Sequence, residues 1–386
     1  MTRLIVNALL FLILPFGCFS QAKEDWIKAP KEEWPQIVLT NHVQFQNGDR
    51  YIHPSFSYAG NGFLIDTGTD TLAATVKHVL WVARNKKTKT VQVNRELDTW
   101  VMKTKGDRAD SVVIDQLINE DSTEILEGSS STILERDWLV FSVKNSASRI
   151  QPLKPRYTAI KPGETVYIAA YSYSNAFVNI FRGRILEKLG MDILIEPDTE
   201  GPLPGMGVSG SPVIDENGFL IGIYSTSAAD PVTGKNVSVA AGTEYLKNVL
   251  SQKHDLNAPR KDYGELIMET VLNEGTEKAI RQYKILTGNP ENYYIYNLRS
   301  ANRNGLRETG EKLIDLQRFE DAVDILSFNV KINPLFYRDY NLLAKAWFLL
   351  GNTEEAIKNY KISTARYDDQ KENEAFRELR KLGAIR

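Results

Sequence analysis

Residues 205–215 read GMGVSGSPVID and place Ser209 in a glycine-rich segment. A serine hydroxyl attacks a carbonyl carbon only when a base takes its proton, a carboxylate orients that base, and donors receive the oxyanion. Without such partners, the same string is only a turn between two strands. The chain has four histidines, so the candidate bases can be weighed one by one.

His78 lies in the most suitable place of the four histidines. It ends the apolar run DTLAATVKH, whereas His42 precedes an alternating strand, His53 lies in a polar loop and His254 in a linker. Asp137 opens the run DWLVFSV, where a carboxylate before a buried strand is well placed to orient an imidazole. Taken singly, each could still be ordinary, as a surface histidine at a strand end and an aspartate in a turn.

Short apolar or alternating runs between about residues 36 and 250 must position these side chains. They are separated by Gly, Asn, Asp and Pro, which is typical of an all-β barrel or sandwich. After residues 252–262 the pattern changes to Glu, Lys, Ala, Leu and aromatics at helical spacing. The sequence therefore predicts two folded units, the first all-β and the second all-α.

Within the helical part, Ala322 lies 34 residues before Ala356, which indicates stacked helix pairs. Three further pairs keep the same spacing: Gly310 with Ala344, Leu313 with Trp347, and Leu326 with Tyr360. The pattern resembles the tetratricopeptide repeat, and the resemblance implies binding of peptide segments or partner proteins. A unit around Ala279 falls out of register, and a generic helical bundle remains the alternative.

The order His78, Asp137, Ser209 and the surrounding strings resemble the chymotrypsin-like serine peptidases, most closely their bacterial, disulfide-free members. The resemblance covers roughly residues 36–250 and includes SYAGNGFLIDTGTDTLAATVKHVL, GETVYIAAYSYS, FRGRILE and GMGVSGSPVIDENGFLIGIYS. It implies a double β-barrel, here followed by the helical repeat domain. It also implies that His78 is the general base and then acid, Asp137 its orienter, and Ser209 the nucleophile.

The same resemblance assigns roles around the nucleophile. It implies an oxyanion hole made by the backbone N–H groups of Gly207 and Ser209. Glycine suits position 207 because turning a donor toward substrate calls for dihedrals that a side chain disfavours. Gly210 would shape the exit from the loop, and Ser225 would supply a hydroxyl to the buried aspartate.

Two residues depart from the animal digestive pattern. Val208 stands where zymogen-activated members have an aspartate, so we expect no activation by a newly cut N-terminus. Lys77 precedes the histidine and is either a solvated neighbour or lies close enough to disfavour the imidazolium. The resemblance implies a specificity pocket built from residues 203–206 and 224–228. These segments contain no acid, and Tyr224 stands where glutamate-specific members have a histidine. We expect a preference for a small or apolar side chain.

The N-terminus predicts export. Arg3, an apolar stretch and the small residues Cys18 and Ser20 are typical of a cleavable signal peptide spanning residues 1–20. The apolar stretch is shorter than the roughly 20 residues that cross a bilayer, although a single span or a buried helix is the alternative. Cys18 could instead become the lipidated first residue of a lipoprotein. We expect a periplasmic, cell-envelope or secreted protein that contacts a membrane only if Cys18 is lipidated.

Composition narrows the possible partners. A net charge of -2 and a pI near 6.2, without a basic run, give no reason to expect nucleic acid. Cys18 is the only cysteine, so no disulfide is expected. No metal-binding motif or cofactor signature is present in the sequence, so we predict neither metal nor cofactor.

The sequence thus predicts three segments: a signal peptide (1–20), a serine peptidase domain (21–255) and a tetratricopeptide-like domain (256–386). The predicted function is a serine endopeptidase that cleaves protein or peptide substrates and recruits substrate or a partner through its helices. The alternative is a catalytically inactive adaptor with a protease-like barrel. In a variant of the first hypothesis, partner binding switches the peptidase on.

Overall fold

The computed structural model describes the chain from residue 23 to residue 385, with gaps. The described residues are 23–50, 58–83, 89–105, 110–126, 136–145, 149–189, 191–198, 207–229, 236–251, 261–289, 292–296, 298, 305–334, 337–365 and 374–385. The predictions about the signal peptide, Cys18 and pocket residues 203–206 fall outside these ranges. So does the predicted domain boundary near residue 255.

The first part of the chain forms a six-stranded closed barrel and a small two-stranded sheet. In chain order the strands are β1 (Leu39–Phe45), β2 (Asn61–Asp66), β3 (Thr71–Thr75), β4 (Thr90–Val91), β5 (Leu97–Lys103), β6 (Ser111–Leu117), β7 (Asp121–Ile125) and β8 (Leu139–Asn145). The barrel order is β1-β2-β3-β8-β6-β5, and β4 pairs with β7. Large aromatics fill the barrel, with the rings of Trp100 and Phe141 centred 4.7 Å apart.

The second barrel is also closed and six-stranded. Its strands are β9 (Thr165–Ala170), β10 (Asn179–Leu189), β11 (Asp192–Pro197), β12 (Pro212–Asp215), β13 (Leu220–Ala229) and β14 (Asn236–Gly242), in the order β10-β11-β14-β13-β12-β9. Asp215 closes the tight turn between β12 and β13 by accepting hydrogen bonds from the N–H groups of Asn217 and Phe219. The turn requires a positive φ of 89° at position 218, which glycine adopts because it has no Cβ.

The segment before β1 packs on the second barrel. It contains two short 3₁₀ helices, Asp25–Lys28 and Lys31–Glu33. The ring of Trp34 meets that of Tyr167 in β9 edge-on, with centroids 5.3 Å apart. The N–H of Glu24 donates to the carbonyl oxygen of Asn217 at 2.9 Å. The N-terminal segment therefore joins the two barrels in addition to the direct connection through residues 149–164.

The remaining regular secondary structure of the described chain is helical. One short helix, α1 (Val79–Ala83), follows β3. Nine described helices come after β14: α2 (Thr243–Ser251), α3 (Tyr263–Glu274), α4 (Thr276–Gly288), α5 (Asn292–Ile295), α6 (Gly305–Asp315), α7 (Phe319–Ile332), α8 (Tyr337–Leu349), α9 (Thr353–Thr364) and α10 (Glu374–Lys381). None of the helices in the described part of the chain has the length and apolar character needed to cross a bilayer. The predicted order, two barrels followed by helices, is confirmed.

The positions that repeat with the 34-residue spacing lie where helices approach each other. Ala322, Ala344 and Ala356 are fully buried. A Cβ added to Gly310 in α6 would collide with the side chain of Leu326 in α7. Small residues therefore permit the close contact of paired helices, as the spacing requires. The tetratricopeptide character of this region stays a prediction.

Candidate active site

His78 lies in the turn between β3 and α1. The N–H of Trp81 donates to the carbonyl oxygen of His78 at 3.1 Å, so the histidine sits at the first turn of α1. Its imidazole is 20% exposed and its Nδ1 lies 2.8 Å from Oδ2 of Asp137. With Nδ1 donating to the carboxylate, Nε2 is left as the acceptor. The imidazole thus has one nitrogen held and the other available to take a proton.

Asp137 is fully buried just before β8. Besides the imidazole, its carboxylate accepts a hydrogen bond from the backbone N–H of His78 at 3.2 Å. The hydroxyl of Ser225 in β13 also donates to Oδ2 of Asp137. Three donors from two barrels therefore satisfy one shielded carboxylate.

The carboxylate also governs the titration of the imidazole. Burial disfavours the imidazolium of His78, but the charge of Asp137 and its hydrogen bond outweigh burial and raise the pKa of His78 above its ordinary value. The raised pKa makes His78 a stronger base than a free imidazole. It also means that at pH values below this raised pKa His78 is protonated and cannot act as a base.

Ser209 lies in the turn that leads from β11 to β12, and its backbone is joined to the first barrel. The N–H of Asn61, at the start of β2, donates to the carbonyl oxygen of Ser209 at 2.7 Å. The Ser209 hydroxyl donates to the carbonyl oxygen of Ser225 at 3.3 Å. Within the described residues His78 and Ser209 share no hydrogen bond, so the hydroxyl is turned toward β13 in this conformation.

Glycines on both sides of Ser209 take conformations that side chains rarely adopt. Gly207 has φ of 98° and Gly210 has φ of 85°. A Cβ at position 207 would lie 2.8 Å from the ring of Tyr173, and one at position 210 would lie 2.6 Å from Oγ1 of Thr75. Among the described residues, no acceptor bonds the N–H of Gly207 or of Ser209. Both N–H groups are therefore available to a ligand.

The sequence did not point to Asn61, which connects the two halves of this site. Its side-chain Nδ2 contacts the carbonyl oxygens of Tyr171 and Gly207 at 2.9 and 3.0 Å, and Oγ of Ser211 at 3.0 Å. Asn61 is fully buried. One amide from the first barrel thus fixes the loop of the second barrel that carries Gly207. The only available signal was a polar residue at the start of the apolar strand NGFLID.

The two residues that depart from the digestive pattern have different surroundings. Val208 is 6% exposed and packs into the apolar core of the second barrel. Lys77 is fully buried and forms an ion pair with Glu124, with Nζ and Oε1 2.5 Å apart. The interpretation of Lys77 as a solvated neighbour is therefore wrong. The physical reason is that Glu124 of β7, which is distant in sequence, supplies a buried carboxylate that compensates the lysine charge.

The other histidines are accounted for as follows. His42 in β1 places Nε2 3.1 Å from Oγ1 of Thr40. His53 and His254 lie outside the described residues. Among the described residues there is no cluster of three or more His, Cys, Asp or Glu side chains able to hold a metal ion.

The part of the chain that contains these residues matches a known protein family. Residues 60–223 match the family described as the trypsin-like peptidase domain. The chain carries a trypsin-like peptidase domain. The matched range includes His78, Asp137 and Ser209, and the two closed barrels give it the chymotrypsin-like fold that the sequence predicted. No curated protein matches the chain.

Two solved protease structures match the chain at low identity. The active form of the Rv3671c protease from M. tuberculosis is 15% identical, with a TM-score of 0.38, and the match covers 62% of this chain and 91% of that one. The serine endoprotease from Yersinia pestis is 15% identical, with a TM-score of 0.36, over 56% of this chain and 62% of that one. TM-scores this low add nothing to the assignment, which rests on the family match.

Proposed function

We propose that the peptidase domain is a serine endopeptidase that acts through His78, Asp137 and Ser209. The observation that carries the proposal is the buried Asp137 carboxylate, which receives Nδ1 of His78 from the first barrel and the Ser225 hydroxyl from the second. A carboxylate so placed holds the imidazole with Nε2 as acceptor. A purely structural aspartate does not need a histidine with a free second nitrogen.

The chemistry that these residues support has two stages. In the first stage Nε2 of His78 takes the Ser209 proton, Oγ bonds to the carbonyl carbon, and the N–H groups of Gly207 and Ser209 bind the oxyanion. The proton then passes to the leaving amine, the C–N bond breaks, and an acyl-enzyme remains. In the second stage a water molecule repeats the attack and releases the acid.

The present rotamer of Ser209 requires one movement before attack. Because Oγ faces the Ser225 carbonyl oxygen at 3.3 Å, a rotation about χ1 must turn it toward His78. Hydrogen bonds at peptidase sites often tighten only when substrate binds. The same rotamer is the observation that favours the second candidate, an inactive adaptor. It is equally consistent with a peptidase that is switched on by a partner.

We assign substrate recruitment to the helices and export to the N-terminal segment. Several large apolar side chains on the helices are exposed, including Ile285 at 68% and Leu272 at 46%. Such side chains suit an extended protein segment better than they suit water. Residues 1–20 would direct the chain out of the cytoplasm, as their pattern predicts.

The experiment is cleavage of an unfolded peptide library by the chain from residue 21 to residue 386, read by mass spectrometry. We expect cuts at internal bonds after small or apolar residues, absent with Ser209→Ala. Ser111→Ala, which changes an exposed serine in β6, is the matched control and should cleave like wild type. Retention of all cleavage by Ser209→Ala would refute the proposal.

A further inference from the structure

The Lys77–Glu124 ion pair is unusual because both side chains are fully excluded from solvent. Taking two charges out of water costs several kcal/mol per ion, so a buried pair is weak support for stability by itself. Burial lowers the pKa of Lys77 to about 8, although the charge of Glu124 opposes the shift. The residue that follows Lys77 is His78. A costly pair on the residue directly before His78 calls for an explanation other than stability.

Tyr245 of α2 is a third buried side chain in contact with the Lys77–Glu124 pair. Its hydroxyl oxygen lies 3.4 Å from Nζ of Lys77, and Nζ also lies 4.6 Å from the centre of its ring. Nδ2 of Asn119 donates to the same hydroxyl at 3.1 Å. Tyr245 is only 1% exposed. A side chain from the helix that follows the second barrel is thus buried against Lys77, the residue directly before His78.

Asn119 links Tyr245 to the backbone that directly follows Asp137. Its Nδ2 donates to the carbonyl oxygen of Trp138 at 2.8 Å, and its Oδ1 accepts from the N–H of Val140 at 2.9 Å. Trp138 directly follows Asp137. The group formed by Lys77, Glu124, Tyr245 and Asn119 therefore bonds to the chain next to both His78 and Asp137.

The backbone that presents Glu124 is itself fixed. Oδ1 of Asp121 accepts from the N–H groups of Thr123 at 2.8 Å and Glu124 at 3.0 Å. The charged groups around the pair are the cation Arg136, 5.8 Å from the Tyr245 ring centre, and the anions Asp121 and Asp137. Lys77 interacts electrostatically with Asp137 as well as with Glu124, so loss of its charge changes the field at the carboxylate that bonds to His78.

We infer that Lys77, Glu124 and Tyr245 are positioning residues for His78 and Asp137, and that α2 is thereby part of the peptidase site. The inference rests on the proposed function of these two residues. An imidazole and a carboxylate must be held within about 0.5 Å of their productive geometry, and buried neighbours supply that constraint. The positioning group ties the turn before α1 and the start of β8 to a helix distant in sequence.

The test uses four variants in the chain from residue 21 to residue 386. Tyr245→Phe removes one oxygen and keeps the ring. Lys77→Met and Glu124→Gln each remove one charge of the pair, and the double variant removes both charges together. Asp339→Asn is the matched control, because it breaks a second buried ion pair, that with Arg307, in the helical region.

Two readouts separate positioning from stability. The first is the proton NMR signal of Nδ1–H of His78, identified by its loss in His78→Ala. The second is the rate of labelling by a fluorophosphonate, measured below the melting temperature of every variant. We expect Tyr245→Phe and the double variant to shift or broaden the signal and to label about tenfold more slowly. Asp339→Asn should lower the melting temperature and leave both readouts unchanged.

An unchanged signal and wild-type labelling in Tyr245→Phe and the double variant would overturn the inference. Because Tyr245→Phe is a mild change, the test stands even if Lys77→Met does not fold. Failure of wild type to label would instead contradict a peptidase that is active without a partner. In that case the NMR signal alone decides whether the group positions His78, since it does not depend on turnover.

Discussion

The two halves of the candidate site are built by different means. The first barrel supplies His78 and Asp137, and buried charged or amide side chains hold them, with Lys77 and Glu124 fully excluded from solvent. The second barrel supplies Ser209 through a loop whose shape depends on glycine backbone at positive φ and on an apolar core. A proton carrier needs its side chain oriented, whereas an oxyanion hole needs its backbone oriented. The contrast follows from these two requirements.

We expect the largest loss of activity from a change in the first barrel, which contributes oriented side chains to the site. Asp137→Asn removes the carboxylate that receives Nδ1 of His78, so the imidazole can adopt the wrong tautomer and kcat/KM should fall by about 10⁴. Asp137 raises the pKa of His78, so the acid limb of the pH profile should lie above pH 6.5 in wild type and move to lower pH in the variant. A pH series of kcat/KM checks both. An acid limb that does not move would contradict the assignment.

In the second barrel, where the backbone of the Ser209 loop must be oriented, adding a single methyl group should lower both stability and activity. Gly210→Ala puts a Cβ against Thr75 and the carbonyl oxygen of Asn61 at a φ that disfavours side chains, so we expect about 2–3 kcal/mol of destabilisation and more than tenfold lower activity. Gly68→Ala is the control. Gly68 has φ of 88° with open space around it, so it should cost about 1 kcal/mol and leave kcat/KM unchanged. Urea denaturation and peptide turnover distinguish the two. Equal losses of stability and activity in both variants would show that backbone strain alone, and not the position beside Ser209, causes the effect.

Asn61→Ala should disturb the contact between the halves. Its side chain is buried and bonds to the loop that carries Gly207, so its removal leaves unsatisfied carbonyl groups that cost about 1–3 kcal/mol. We expect kcat to fall by about tenfold with little change in KM, since the oxyanion donors act mainly in the transition state. Steady-state kinetics of the variant provide the measurement. A rise in KM alone would instead place Asn61 in substrate binding.

The smallest effect is expected outside the site. Ile285→Ser removes an exposed apolar side chain on α4, so the stability change should stay within about 0.5 kcal/mol. If the helices recruit substrate, turnover of an unfolded protein should fall about twofold to fivefold while turnover of a short peptide stays constant. Lys278→Ser, on the same helix, serves as the control. Equal turnover of both substrates by Ile285→Ser would argue against recruitment by this surface.

The fold and the family were predictable because their signals are local. Short alternating strands, the helical spacing after residue 262 and the strings around His78, Asp137 and Ser209 each occupy a few consecutive residues. The order of the barrels and helices follows from them. The roles of these three residues are proposals that the geometry supports.

The supporting residues were not predictable because their contacts are remote in sequence. Lys77 meets Glu124 and Tyr245, which come 47 and 168 positions later. Asn61 reaches Gly207 across 146 positions. A single sequence contains no sign of such pairings, so a lysine beside a histidine was assigned to solvent as readily as to the interior. Burial of a charge can be recognised only when its partner is known.

The most direct test of the account is mass-spectrometric mapping of a fluorophosphonate adduct on the folded chain from residue 21 to residue 386. Such a probe reacts with a hydroxyl only when a base and an oxyanion hole activate it. The account predicts one adduct, on Ser209, that disappears in His78→Ala. A folded wild type without an adduct, or an adduct on another serine, would contradict it.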